Sequence, residues 1–115
     1  MESLINYFKK MGFDESNLAE FLGHIKIRKF EANEIILFEG QLENYMSFID
    51  KGIVRYYAVN ADKEITFDFA FENSFYCAYD SFYSRNKTAV YIQAITNCQL
   101  YSISHESLID RKSVV

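Results

Sequence analysis

The stretch Ile36-Leu37-Phe38-Glu39-Gly40-Gln41-Leu42-Glu43-Asn44-Tyr45-Met46-Ser47-Phe48-Ile49-Asp50-Lys51-Gly52 decides the fold. Two short apolar runs each end on a glycine, and eleven residues separate Gly40 from Gly52. The second run resumes as Ile53-Val54-Arg55-Tyr56-Tyr57. Glycine is required where the backbone takes positive φ or turns too tightly for a Cβ. Two such corners at this spacing pin the register of a compact β-roll.

Outward from this stretch the apolar period stays at two. Residues 25–28, 35–38, 45–50, 53–59, 65–71, 90–95 and 100–103 read as strands. The clearest is Ile65-Thr66-Phe67-Asp68-Phe69-Ala70-Phe71. Its alternation predicts that Ile65, Phe67, Phe69 and Phe71 face the core. Asn60-Ala61-Asp62-Lys63 is a polar hairpin turn. Short strands at close spacing suggest a sandwich or roll. Two short helices precede them. Leu4, Ile5, Phe8 and Met11 share one helical face, closed by Gly12. Asp14 caps a second helix carrying Leu18, Phe21 and Leu22, with Gly23 as its stop. Ser104 is the expected N-cap of a last helix running to Val115.

Residues 72–88 break the alternation. Phe75, Tyr79, Phe82 and Tyr83 fall at i, i+4, i+7 and i+8, which predicts a short helix laid across the sheet with a pocket beneath it. The helix N-terminus would offer unpaired N–H groups to an anion.

The 115 residues suit one domain, and a domain of that size buries about two-thirds of its unfolded surface. Half the residues are apolar and 17% aromatic, a globular composition. The net charge of −4 argues against nucleic acid and anionic membranes as partners, since phosphate affinity comes from cationic side chains. No apolar run approaches the ~18 residues of a membrane span. The N-terminus carries an early acid and no cleavage site of a secretory signal, and two cysteines fit a reducing compartment, so the expected location is the cytoplasm. Cys77 and Cys98 are expected to stay reduced.

The Gly40 and Gly52 run resembles the first signature of the cyclic-nucleotide-binding domain family, in particular the N-terminal sensor domain of Crp/Fnr-type transcriptional regulators. Leu37-Phe38-Glu39-Gly40 and Lys51-Gly52-Ile53-Val54-Arg55 carry the likeness. It extends over nearly the whole chain and implies an eight-stranded jelly-roll (double-stranded β-helix) with short flanking α-helices, mainly β, in a single domain over residues 1–115. Two departures stand inside the signature: Glu43 occupies a usually small position, and Ser47 interrupts the apolar run before Gly52. The family's nucleotide binders carry Gly-Glu at the embedded helix, holding the ribose, and later an Arg followed by a small residue, clamping the cyclic phosphate. Here Cys77-Ala78 and Thr88-Ala89 fall at those places. Charge-assisted hydrogen bonds contribute about 1.5–3 kcal/mol each, so losing both anchors implies cAMP binding no tighter than about millimolar. The family is dimeric, through a long helix that leads into a helix-turn-helix domain; this chain ends where that helix would begin.

The resemblance implies a small-molecule effector pocket lined by Tyr76, Cys77, Ala78, Tyr79, Asp80, Ser81 and Thr88, with Arg85 or Lys87 available to an anion. Each has a plainer reading. The aromatic side chains pack between helix and sheet, the two cations are solvated in a polar loop, Cys77 is a structural thiol, and Asp80 and Ser81 cap the helix. No catalytic triad or phosphate loop is present, no cofactor is implied, and two distant histidines, His24 and His105, cannot build the metal centre of a cupin enzyme. The implied function is effector sensing without a cAMP response, and not catalysis. A ligand-free structural or protein-contact module of the same fold is the first alternative, and a cupin-like metalloenzyme, which would require bound metal, is the second. A cavity beneath residues 76–88 would favour the sensor; a cavity filled by Tyr76, Tyr79 and Phe82 would favour the alternative.

Overall fold

The computed structural model describes residues 1–113, so the expectation that the last helix reaches Val115 lies in part outside the described residues. Two helices, α1 (Glu2–Lys10) and α2 (Glu15–Gly23), lead into eight strands. These are β1 (Lys26–Phe30), β2 (Ile35–Leu37), β3 (Tyr45–Lys51), β4 (Val54–Asn60), β5 (Lys63–Ala70), β6 (Phe75–Tyr76), β7 (Tyr91–Ala94) and β8 (Cys98–Ser104). One turn of helix, α3 (Tyr79–Phe82), lies between β6 and β7, and α4 (His105–Ser113) follows β8. The strands form two antiparallel four-stranded sheets, ordered β1-β8-β3-β6 and β2-β7-β4-β5. This is the jelly-roll arrangement, mainly β with short helices.

The sheets close on a core of Leu37, Ile49, Val54, Tyr56, Ile92, Ala94 and Leu100. Strand β3 is buried on both faces. Ile49 points between the sheets, and Phe48 points the other way, against Leu4 and Tyr101 with Tyr7, Phe8 and Phe75 around it. The apolar faces of α1 and α2 therefore seal the outside of the first sheet, which is why β3 reads as an almost continuous apolar run. Its one interruption is paired. Ser47 and Ser102 sit opposite each other on β3 and β8, fully buried, with their hydroxyl oxygens 2.7 Å apart.

Both signature glycines are corners. Gly52 has φ +104°, and a Cβ there would come within 2.5 Å of Cys98 Sγ and 2.6 Å of the Asn97 carbonyl oxygen. Gly40 has φ +88° in open space, and its N–H donates to the Thr88 carbonyl at 2.9 Å. The Thr88 N–H returns a bond to the Gln41 carbonyl at 2.8 Å. The first corner thus fixes the segment that enters β7 beside α3. At the chain's end Ser104 caps α4 as expected, accepting from the Ser107 N–H at 3.0 Å.

Two expectations fail. Phe75 and Tyr76 are not helical: they pair with Phe48 and Ser47 on the free edge of β3, where backbone bonding and the Phe48–Phe75 ring contact outweigh helical spacing. The expected core face of β5 is not buried either. Ile65, Phe67, Phe69 and Phe71 are 50%, 56%, 47% and 57% exposed. The β4–β5 register slips between Tyr56 and Tyr57, so that Tyr56 opposes Asp68 while Tyr57 opposes Thr66. Phe67 is the extra residue, and one extra residue exchanges the faces on either side of it. Phe69 then lies opposite Arg55, on the outer face. There the Arg55 guanidinium covers the Tyr57 ring at 4.0 Å and bonds Gln93, Thr66 and Glu64. Only Ala70, opposite Val54, is buried.

Candidate functional site

The segment after β6 is the centre of the site. Tyr76 is buried in the inter-sheet core, and the Cys77 carbonyl accepts from the Tyr56 hydroxyl at 2.8 Å. Burial and the carboxylates of Glu43 and Asp80 push the Cys77 thiol up to about 12. Burial likewise raises the Tyr56 phenol, so it remains a neutral donor at physiological pH. Ala78 opens α3, whose single turn leaves its first N–H groups without helical partners.

The N–H of Ala78 itself is met by Glu43, the residue that departs from the signature. It is 7% exposed, and its carboxylate accepts from the Ala78 N–H at 3.0 Å and the Tyr45 N–H at 3.3 Å. Its own N–H donates to Ser81 Oγ at 2.9 Å. Desolvation outweighs these bonds and the nearby Arg28 and Arg85 charges, so the Glu43 carboxyl titrates above its usual range. Arg85, at φ 63°, donates to the carbonyls of Glu43 (3.0 Å) and Phe82 (3.2 Å) and to Asn44 Oδ1 (3.0 Å). Its guanidinium therefore staples the end of α3 to the β2–β3 loop. Lys87 is exposed in the loop beyond.

Asp80 closes the other side. Its carboxylate accepts from Thr88 Oγ1 at 2.9 and 3.2 Å and from the Ala89 N–H at 3.0 Å. Thr88 is buried, and its hydroxyl oxygen also accepts from the Val90 N–H at 3.2 Å. The two backbone stretches of interest, at Ala78 and at Thr88–Ala89, are thus each held by a carboxylate of the chain itself.

Beside α3 a cavity of about 270 Å³ is lined by Tyr56, Phe67, Asp68, Ala78, Tyr79, Asp80 and Val90. Of the residues expected from sequence, it brings together Ala78, Tyr79 and Asp80; Tyr76, Cys77, Ser81, Arg85, Lys87 and Thr88 are not among its walls. Tyr79 is half exposed and stacks on Tyr83 at 6.0 Å, while Phe82 is buried against the His105 ring. The cavity is thus not filled by Tyr76, Tyr79 and Phe82, and it is more apolar than an anion site. Sequence reading missed Tyr56, Phe67 and Asp68, which reach it from strands, Val90 just ahead of β7, and Glu43 behind it. The one available signal was a charge at Glu43, where the signature takes a small residue. Clefts of about 400 and 600 Å³ lie at the opposite end of the roll, sharing Lys51 and Asn97, away from α3. Among the described residues, no group of three or more His, Cys, Asp or Glu side chains is placed to hold a metal ion. Both cysteines are free thiols, buried in the roll.

The family model of the cyclic nucleotide-binding domain matches residues 27–111, and the chain belongs to that family. Solved structures share the fold at low identity. The catabolite activator protein of Thermus thermophilus superposes with a TM-score of 0.74 at 15% identity, over 86% of this chain and 46% of that one. The c-di-GMP-responsive global regulator CLP of Xanthomonas campestris gives 0.71 at 21%, over 84% and 47%. The N-terminal domain of a transcriptional regulator from Streptomyces coelicolor A3(2) gives 0.75 at 16%, over 89% and 71%. The chain spans about half the length of the first two regulators. A search of curated proteins finds no match. Among the described residues no helix is long and apolar enough to cross a membrane.

Proposed function

We propose that this chain is the effector-sensing domain of a Crp/Fnr-type transcriptional regulator and that it does not respond to cAMP. The observation that carries the second half is the Asp80 carboxylate on the Thr88 hydroxyl and Ala89 N–H. These are the positions aligned with the family's phosphate clamp. An anionic phosphate there would meet a fixed negative charge instead of a guanidinium. Glu43 likewise engages the Ala78 N–H at the position aligned with the ribose carboxylate. The X. campestris regulator is c-di-GMP-responsive, so the roll is not tied to one effector. In this reading the domain works in the cytoplasm and catalyses nothing. It binds no DNA itself and biases a DNA-binding half through the helix that begins at His105.

Thermal unfolding with cAMP tests the reading. At 1 mM ligand, a millimolar dissociation constant stabilises the folded state by no more than about 0.4 kcal/mol. A shift of the midpoint by 10 °C would overturn it.

One observation favours a second reading, a protein-contact module of the same fold: the exposed Ile65, Phe67, Phe69 and Phe71 beside the free edge of β5. Light scattering of the wild type and of Phe69→Asp/Phe71→Asp tests it. Self-association removed by the substitutions would favour this reading; a monomer at all concentrations would count against self-contact through β5.

A further inference from the structure

The cavity beside α3 has an unusual chemistry for its place in the fold. Three aromatic residues, Tyr56, Phe67 and Tyr79, share its walls with two acidic residues, Asp68 and Asp80, and among the described residues no lysine or arginine lines it. The bulge in β5 creates this combination, because it leaves Phe67 and Asp68 side by side opposite Tyr56. The Phe67 ring lies 6.0 Å from the Tyr56 ring. Two nearby cations are directed elsewhere: Arg85 holds the Glu43 and Phe82 carbonyls, and Arg55 holds Glu64 on the outer face of the sheet. Lys87, three residues before Val90, is exposed in the loop and is not among the walls. An anion entering here gains no counter-charge. A cation gains the faces of aromatic rings, whose quadrupoles attract positive charge, together with two carboxylates.

We infer that this cavity takes an organic cation, an amine or quaternary ammonium group carrying a small apolar body. The inference rests on the sensor reading and names the chemical class of its effector. Burial of the neutral Tyr56 phenol fits the assignment, since its hydroxyl is committed to the Cys77 carbonyl and only its ring is offered to a ligand. Glu43 and Asp80 both stand near Cys77, and after burial they are what raises its thiol. Asp80 retains acceptor capacity beyond its bonds to Thr88 and Ala89, because a carboxylate has about four acceptor sites. Among the described residues Asp68 accepts from the Phe69 N–H at 2.8 Å, a single bond to a group with about four acceptor sites. The volume of about 270 Å³ admits one small cation and lies just under the usual range for drug-sized ligands.

A charge series of one shape tests the assignment. The probes are choline, its neutral carbon isostere 3,3-dimethylbutan-1-ol, and the anion 3,3-dimethylbutanoate, each titrated into the isotopically labelled chain while the amide signals of Ala78, Tyr79 and Val90 are followed. Choline is expected to shift them saturably, with affinity at least about tenfold above either isostere. Asp68→Asn keeps the acceptor for the Phe69 N–H and removes the charge, and it is expected to lower choline affinity about fivefold or more while leaving the alcohol unchanged. Equal binding of the three probes, preference for the anion, no saturable shift with choline, or an unaffected Asp68→Asn variant would each overturn the inference. A parallel titration with cAMP separates the two claims, because tight cAMP binding would defeat the reading that the domain does not respond to cAMP, whatever choline does.

Discussion

Substitution of Gly52 by alanine offers the sharpest physical test of the roll. The new Cβ would stand 2.5 Å from Cys98 Sγ, 2.6 Å from the Asn97 carbonyl oxygen and 3.0 Å from Cys98 Cα. Two of the three are backbone atoms and cannot rotate aside. Overpacking of this kind costs about 1–3 kcal/mol. The φ of +104° adds backbone strain for any side chain, about 1–3 kcal/mol more. The sum is about 2–6 kcal/mol, a large share of the ~5–15 kcal/mol that holds a domain of this size. Gly40→Ala is the internal control. It has a similar φ of +88° but nothing within 4 Å, so only the backbone penalty of about 1–3 kcal/mol applies. Urea unfolding of both variants reads the difference at a common m-value. Adding Cys98→Ala to Gly52→Ala removes the sulfur contact but neither backbone contact, so rescue should be partial. Equal costs at Gly40 and Gly52, or full rescue by Cys98→Ala, would refute the reasoning.

Three further outcomes follow from buried polar groups. Ser47→Ala should destabilise by about 1–3 kcal/mol because it orphans the Ser102 hydroxyl, and Ser47→Ala/Ser102→Ala should cost less than the two single changes added together, as read by a double-mutant cycle in urea. Glu43 has a folded pKa raised above its unfolded value, so its ionisation opposes folding. Its contribution is most favourable below the unfolded value and is lost as pH rises through the folded one. Stability measured from pH 4 to 8 should therefore favour wild type over Glu43→Gln more at the acid end than at pH 7; the opposite slope would contradict the burial argument. Cys77, raised to about 12 and fully buried, should not react with a thiol-specific disulfide reagent in the native state at pH 7.5, while the unfolded chain should titrate both thiols.

Much of the roll was legible from residues alone. The seven strand segments read from the period of two correspond to β1–β5, β7 and β8, and the spacing of Gly40 and Gly52 located both corners. What escaped depended on register. A two-residue strand such as β6 has no periodicity to detect; it exists because β3 presents a free edge to Phe75 and Tyr76. The bulge at Phe67 has no local signal either, yet it turns the most regular alternation in the chain outward and brings Asp68 to the cavity. Of the residues expected at a pocket, Ala78, Tyr79 and Asp80 line the cavity beside α3, while the residues that reach it from β4 and β5 carried no local signal. Arg85 illustrates why. Sequence shows a cation near a vacant anchor, but only the fold shows that backbone carbonyls at residues 43 and 82 have already claimed it.

The account stands on the chain's own carboxylates holding the places aligned with the nucleotide anchors. Isothermal titration of cAMP against the wild type and against Ala78→Glu/Asp80→Ala/Thr88→Arg, with the variant's fold verified by circular dichroism, measures this directly. The wild type should give no saturable heat below about millimolar cAMP, since two charge-assisted anchors are missing. The variant, with Asp80 removed and both anchors supplied, should acquire measurable binding. A micromolar dissociation constant for the wild type would contradict the account.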